Sequence, residues 1–242
     1  AWSIDATGEE LYELRFRDVA TGVDRSERIT RTYYGGAWAA DGCTFFYVVV
    51  DDVFRPYQVW RHSLGTDPAL DVLVLEETDR RFEVSARATR CGRWVLIHSA
   101  SRDSAETWAI PSGDPSAPPA TVGGRREGHE YVIESVPGGP RPFLAVTNHG
   151  GRREFSLCWL GLGETDPDMW LSAVDAPLPG DPADDSGQHD PGDVPVRRFI
   201  GVDAFAGQVV VTLRESGATA LYVVPVTERG LDWVRATAYR PG

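Results

Sequence analysis

The sequence predicts an all-β protein built from repeated four-stranded antiparallel units, and three observations carry that prediction. First, its apolar residues fall in short runs that alternate with period two, as in Leu11-Tyr12-Glu13-Leu14-Arg15-Phe16-Arg17, and turn signals such as Thr21-Gly22, Asp41-Gly42, Gly65-Thr66 and Cys91-Gly92 punctuate them. Second, the strands recur as sets whose strongly apolar second members begin near Phe45, Val95, Leu144 and Val210, at separations of 50, 49 and 66 residues. Third, Trp, Tyr and Phe number 8, 8 and 9 against a single Met, and no helical pattern of a dozen residues is present. A four-stranded period of roughly 40–50 residues is that of a β-propeller blade. A sandwich of two antiparallel sheets is the alternative all-β arrangement; the repeat and the aromatic near each second strand favour the propeller.

Each set is taken as inner, second, third and fourth strand. The first runs through Gly36–Trp38, Phe45–Val50, Gln58–His62 and Val72–Leu75, and the next through Phe82–Ala88, Trp94–His98, Glu106–Ile110 and Ala120–Val122. The third has Tyr131–Val136, Phe143–Thr147, Phe155–Leu160 and Trp170–Val174; the fourth has Arg198–Asp203, Val209–Leu213, Ala220–Val224 and Trp233–Ala236. The chain is thus expected to be one partial propeller domain over 1–242, with a partial blade at 1–33 and blades at 34–81, 82–129, 130–176 and 196–242. The long third interval holds a Pro/Gly/Asp-rich stretch, 177–195, that is expected to be a surface loop. Trp60, Trp108 and Trp159 recur in successive third strands, a spacing that suits core packing better than an aromatic ligand cage.

The 24 basic and 36 acidic residues leave a net charge of −12, which repels polyanions and speaks against nucleic-acid binding. Acidic surface serves solubility first and can also draw cationic ligands. Cys43, Cys91 and Cys158 are odd in number and widely spaced, so they are expected to be buried thiols in a reducing compartment, the cytoplasm, rather than a disulfide framework. No basic–apolar–small leader opens the sequence, and no apolar run approaches the ~20 residues of a membrane span.

Several segments together resemble the oligopeptidase B (protease II) branch of the prolyl oligopeptidase family. They are Leu14-Arg15-Phe16-Arg17-Asp18 with Thr21-Gly22, Trp38-Ala39, Thr44–Val48, Glu76-Glu77 with Asp79, Arg125–Tyr131 and Thr147-Asn148-His149-Gly150. The most specific is Arg55-Pro56-Tyr57-Gln58-Val59-Trp60-Arg61-His62-Ser63-Leu64-Gly65-Thr66. The resemblance is strong over residues 10–160 and weaker, though in register, from Arg198 onward. It implies a seven-bladed propeller that caps an α/β-hydrolase domain with a Ser-Asp-His triad, cleaves short peptides after Arg or Lys, and uses the propeller to limit access. The hydrolase domain is absent from this sequence, so the chain is expected to be a non-catalytic gating portion, inactive alone, with the hydrolase domain and short basic peptides as partners. A free-standing propeller serving as a protein-binding platform is the alternative.

The residues themselves supply little chemistry. No Gly-x-Ser-x-Gly elbow occurs, so no catalytic residue is assigned, and a grouping of His62, Asp79 and Ser63 has no positional support. His62, His98, His129, His149 and His189 lack metal-ligand spacing, and no nucleotide-binding glycine pattern follows a strand; neither metal nor cofactor is expected. His98, in an apolar strand, suits a hydrogen-bonded core histidine. Two clusters remain as candidates for the substrate channel or the interdomain face. Arg125, Arg126, His129 and Glu130 precede an inner strand, and an arginine there can clamp a carboxylate; a solvated loop with local ion pairs is the plainer alternative. Glu76, Glu77 and Asp79 precede another inner strand, where acids can draw a cationic peptide or simply form an exposed turn. Terminal blades without neighbours would expose apolar faces and favour self-association.

Overall fold

A computed structural model describes residues 1–174, 178 and 197–240. The expected loop at 177–195 therefore lies outside the described residues, Leu178 excepted. The structure is all-β, its regular elements being antiparallel strands joined by turns and single 3-10 turns.

Strands β1 (Trp2–Ile4), β2 (Tyr12–Arg17), β3 (Asp24–Thr32), β4 (Ala37–Trp38), β5 (Thr44–Val50), β6 (Pro56–Ser63) and β7 (Val72–Glu76) form one sheet in the order β1-β2-β3-β5-β6-β7, with β4 also on β5. Strands β8 (Glu83–Ala88), β9 (Trp94–Ala100), β10 (Ala105–Pro111) and β11 (Ala120–Gly123) form a second, with β8 at its edge. Strands β12 (Tyr131–Ser135), β13 (Phe143–Thr147), β14 (Ser156–Leu160) and β15 (Leu171–Ser172) form a third. The last holds β16 (Arg197–Phe205), β17 (Gln208–Glu215), β18 (Ala218–Thr227) and β19 (Gly230–Leu231), with β20 (Thr237–Tyr239) on β18. The chain divides into two compact units, Ala1–Arg102 with Thr107–Ala120, and Asp103–Glu106 with Thr121–Gly242.

Why the second strands are continuously apolar is visible in β5. Phe45 and Tyr47 enter a core with Leu14, Phe16 and Ile29, while Phe46 and Val48 enter another with Val84, Val95 and Ile97. Side chains alternate faces along a strand, so a strand with cores on both sides needs apolar residues at every position. In the other unit, Leu144, Val146, Leu157 and Trp159 pack with Val209, Val211, Tyr222 and Trp233. The three recurring tryptophans each join a different core: Trp60 beside Phe16, Trp108 beside Ile110, and Trp159 within the third. Gly36 shows why one turn tolerates no side chain. Its φ is +129°, and a Cβ there would stand 2.5 Å from the Phe45 ring.

Two expectations need correction. Trp233 does not begin a strand: Trp233–Arg235 is a 3-10 turn capped by Asp232, whose side chain accepts from Arg235 N, and the pairing strand is β20. Trp233 instead points inward, its indole N–H donating to Ala173 O at 2.8 Å. Nor are all three cysteines buried: Cys158 is, but Cys91 is half-buried and Cys43 exposed. Cys43 sits on the Asp41-Gly42 turn, held outward by its N–H donating to Asp41 Oδ1 at 2.9 Å.

Candidate functional site

The loop before β12 is fixed by charge pairs and one buried histidine. Arg125 pairs with Glu106 at 3.0 Å, and Arg126 with Asp166 at 2.8 Å and Asp168 at 3.7 Å. Asp168 also meets His149 Nε2 at 3.0 Å, so Arg126 and His149 flank one carboxylate. His129 lies beneath, 4% exposed, among the rings of Tyr131, His149 and Trp170. Its Nε2 lies 2.8 Å from Thr147 Oγ1, while its buried Nδ1 has no hydrogen-bond partner. Burial first, then the neighbouring His149 and Arg126, lower its pKa to about 4, so the ring is neutral at pH 7. Glu130 is tied to Asn148, its N–H donating to Asn148 Oδ1 at 2.9 Å.

The acidic candidates differ in burial and in partners. Glu76 is exposed and accepts from Gln58 Nε2 at 3.1 Å. Glu77 is 5% exposed; its carboxylate accepts from Ser99 Oγ at 2.6 Å and from Asp79 N at 2.9 Å. Asp79 takes the Arg81 guanidinium at 2.7 Å. Arg55 underlies the turn, donating to the carbonyls of Glu77, Asp79 and Phe82 and pairing with Asp51 at 3.0 Å. Glu77 thus holds the turn from inside, and Glu76 and Asp79 are the more accessible acids.

His62, given no catalytic role in the sequence, is paired with Asp71. Its Nδ1 lies 2.7 Å from Asp71 Oδ1, and Tyr47 donates its hydroxyl to Asp71 Oδ2 at 2.8 Å. The ring is sealed from solvent and stacked on Phe16 at 5.1 Å, with Nε2 buried and unpartnered. A carboxylate–imidazole pair without a reachable hydroxyl orients nothing toward a substrate, so its role is structural. Asp71 precedes β7 by one residue and carries no local motif; only its spatial register with His62 gives it away. His98 is half-buried, with Nδ1 2.9 Å from Thr107 Oγ1.

Among the described residues, no group of three or more His, Cys, Asp or Glu is arranged to hold a metal ion. Among them, too, no helix is long and apolar enough to cross a membrane.

Antiparallel sheets repeated in chain order, two of them four-stranded, are those of a β-propeller domain. The chain belongs to the family described as prolyl oligopeptidase, N-terminal beta-propeller domain, whose model matches residues 1–175. It is 33% identical over 145 residues to Protease 2 of Moraxella lacunata, covering 59% of this chain and 21% of that protein. It is 30% identical over 158 residues to dipeptidyl aminopeptidase BI of Pseudoxanthomonas mexicana, covering 61% and 22%. Its fold is similar to oligopeptidase B from Trypanosoma brucei, closed form with covalently bound antipain, at TM-score 0.75 and 21% identity over 98% of this chain and 30% of that one. The chain therefore spans about a fifth of these curated relatives and three tenths of that solved structure.

Proposed function

We propose that the chain is the non-catalytic propeller portion of an oligopeptidase B-like serine peptidase, limiting access of short peptides to a hydrolase domain that cleaves after Arg or Lys. The observation that carries this reading is the 33% identity to Protease 2, which runs through 145 residues of a chain already inside the propeller family. Acyl transfer would proceed through a serine outside this sequence, since the Gly-x-Ser-x-Gly turn that would expose one does not occur in it. The net charge of −12 supports attraction of basic peptides over long range. Among the candidate residues, the roles divide by exposure. Glu76 and Arg126 are exposed and best able to meet a ligand or the hydrolase domain, Asp79, Arg125 and Glu130 are half-buried, and Glu77 and His129 are buried in the turns that carry them. The three free cysteines accord with the cytoplasm.

The test is a series of fluorogenic peptides of increasing length with Arg at the cleavage position, offered to the full-length product that contains this chain and to the chain alone. Cleavage of short members only, by the full-length product only, is expected. Cleavage by the repurified chain alone would place an active site within it and overturn the reading.

A further inference from the structure

A cleft of about 630 Å³ in the first unit lies beside the acidic turn, with Arg81, the partner of Asp79, in its lining. One wall is formed by Glu83, Val84, Ser85 and Ala86 of β8. Side chains alternate along a strand, so one face contributes only every second residue to a wall. Four consecutive residues mean that the cleft meets both faces of β8, and His98 and Ala100 of β9, paired with Ser85 and Glu83, line it too. β8 is the edge strand of its sheet, and edge strands turn alternate N–H and C=O groups away from their single neighbour.

Tyr33, Tyr34 and Gly35 also line the cleft. The two rings lie 4.1 Å apart, Tyr34 is 61% exposed, and a Cβ on Gly35 would meet nothing within 4 Å. The Tyr33 phenol is held neutral, its pKa pushed up to about 12 by its hydrogen bond to Tyr34, by burial, and by Tyr34, Glu83 and Glu10 nearby. At one end stand two arginines. Glu83 is paired with Ala100 as the last position of the β8–β9 ladder, and Arg81 and Arg102 each lie two residues beyond it. Arg81 is engaged by Asp79, whereas Arg102 is exposed and has no ion-pair partner among the described residues.

An exposed strand edge, a stacking wall and a cation at one end suit an extended chain that ends in an anion. We propose that this cleft binds the C-terminal end of a short peptide, added as a strand along the β8 edge, with its free α-carboxylate on Arg102 and its side chains against Tyr34. That the ligand is a peptide rests on the function proposed above; the anion site and the strand edge do not.

The test is calorimetric titration of the whole chain with acetyl-Ala-Val-Ala as free acid, as carboxamide, and with its backbone amides N-methylated. These probes carry no cationic side chain, so the overall negative charge does not drive binding, and no proteolysis is needed for a readout. The free acid is expected to bind at least about tenfold more tightly than the carboxamide, the loss of one charge-assisted contact. Arg102→Gln should erase that difference, and N-methylation should weaken binding of the acid. Equal binding of acid and amide, discrimination that survives Arg102→Gln, or no heat with either peptide would overturn the carboxylate site. Displacement of the peptide by an equal concentration of acetate would reduce the cleft to an anion site and overturn its assignment to a peptide. Because binding is read directly, a peptidase test that fails leaves this result intact, and the converse holds.

Discussion

At the scale of single residues, the buried polar groups are the most exposed to test. Asp71 accepts from His62 and from Tyr47, and burial first, then that carboxylate, pushes the Tyr47 phenol far up. Tyr47→Phe removes one donor to a buried acid and should cost about 1.5–3 kcal/mol of unfolding free energy in urea. His62→Ala also opens a hole beside Phe16 and should cost about 3–5 kcal/mol. Equal, small effects would mean that the three groups are not coupled. His129 sets a pH dependence. Its folded pKa lies near 4, below the ordinary 6.5, so between these values the unfolded chain binds the extra proton. The contribution is complete above pH 6.5 and lost as pH falls toward 4, on the order of 2–3 kcal/mol. His98, also lowered to about 4 by burial first and Arg87 second, acts in the same sense. The urea midpoint should fall over that window, and His129→Gln should flatten the slope; an unchanged slope would contradict the burial of this ring. Composition could not distinguish Glu77 from Glu76, since both read as acids in one turn. What separates them is that Ser99 and Asp79 N converge on one and not on the other.

At the scale of elements, the turn from β7 to β8 depends on Arg55. Its guanidinium reaches three carbonyls across Glu77 to Phe82, geometry that a lysine ammonium cannot span. Arg55→Ala should lower stability by about 2–3 kcal/mol and speed amide hydrogen exchange between residues 77 and 82, with Arg55→Lys rescuing little. Full rescue by lysine would mean that the Asp51 ion pair, rather than the carbonyl fork, matters. The Arg-Pro-Tyr run was legible as a family signature, but its work on a turn more than twenty residues away was not. Strands with two buried faces were plain in the sequence: β13 is Phe143–Thr147 both as read and as built. β3 was not, because Asp-Arg-Ser-Glu-Arg-Ile-Thr-Arg-Thr buries few side chains and is held mainly by its ladder to β2. Trp233 failed for the opposite reason. It is apolar and buried, but a single residue has no period, and the Asp232 cap that turns the chain there counted for less than the apolar spacing. The peptide cleft escaped notice because Tyr33, Tyr34 and Arg102 lie in connections, where no repeat singles them out.

At the scale of the whole molecule, the last sheet is built differently from the others. Val209, Val211 and Leu213 of β17 face a core, and the register places Val210 opposite Asp203 and Val223 on the other face. Two residues along on that same face are Phe205, 44% exposed, and Leu221, 41% exposed, and Leu221 is paired with Tyr239, 59% exposed. The sequence of β17 hides this, since Gln208-Val-Val-Val-Thr-Leu is as apolar as a strand buried on both sides. Such a face loses free energy to water at roughly 25 cal/mol per Å², and contiguous patches of this kind are where chains meet. Like charge opposes the meeting: at −12, two copies repel over the ~10 Å Debye length of 0.1 M salt. The isolated chain should therefore self-associate, more at high salt than at low, with light-scattering mass rising with concentration and a hydrophobic dye binding to the monomer. Leu221→Glu with Tyr239→Ser should suppress both signals without altering the urea midpoint, because neither side chain enters a core. A chain that stays monomeric at high salt and binds no dye would show that this face is not adhesive. Association that survives the double substitution would move the contact to another surface, such as the exposed Val72 and Leu73 of β7.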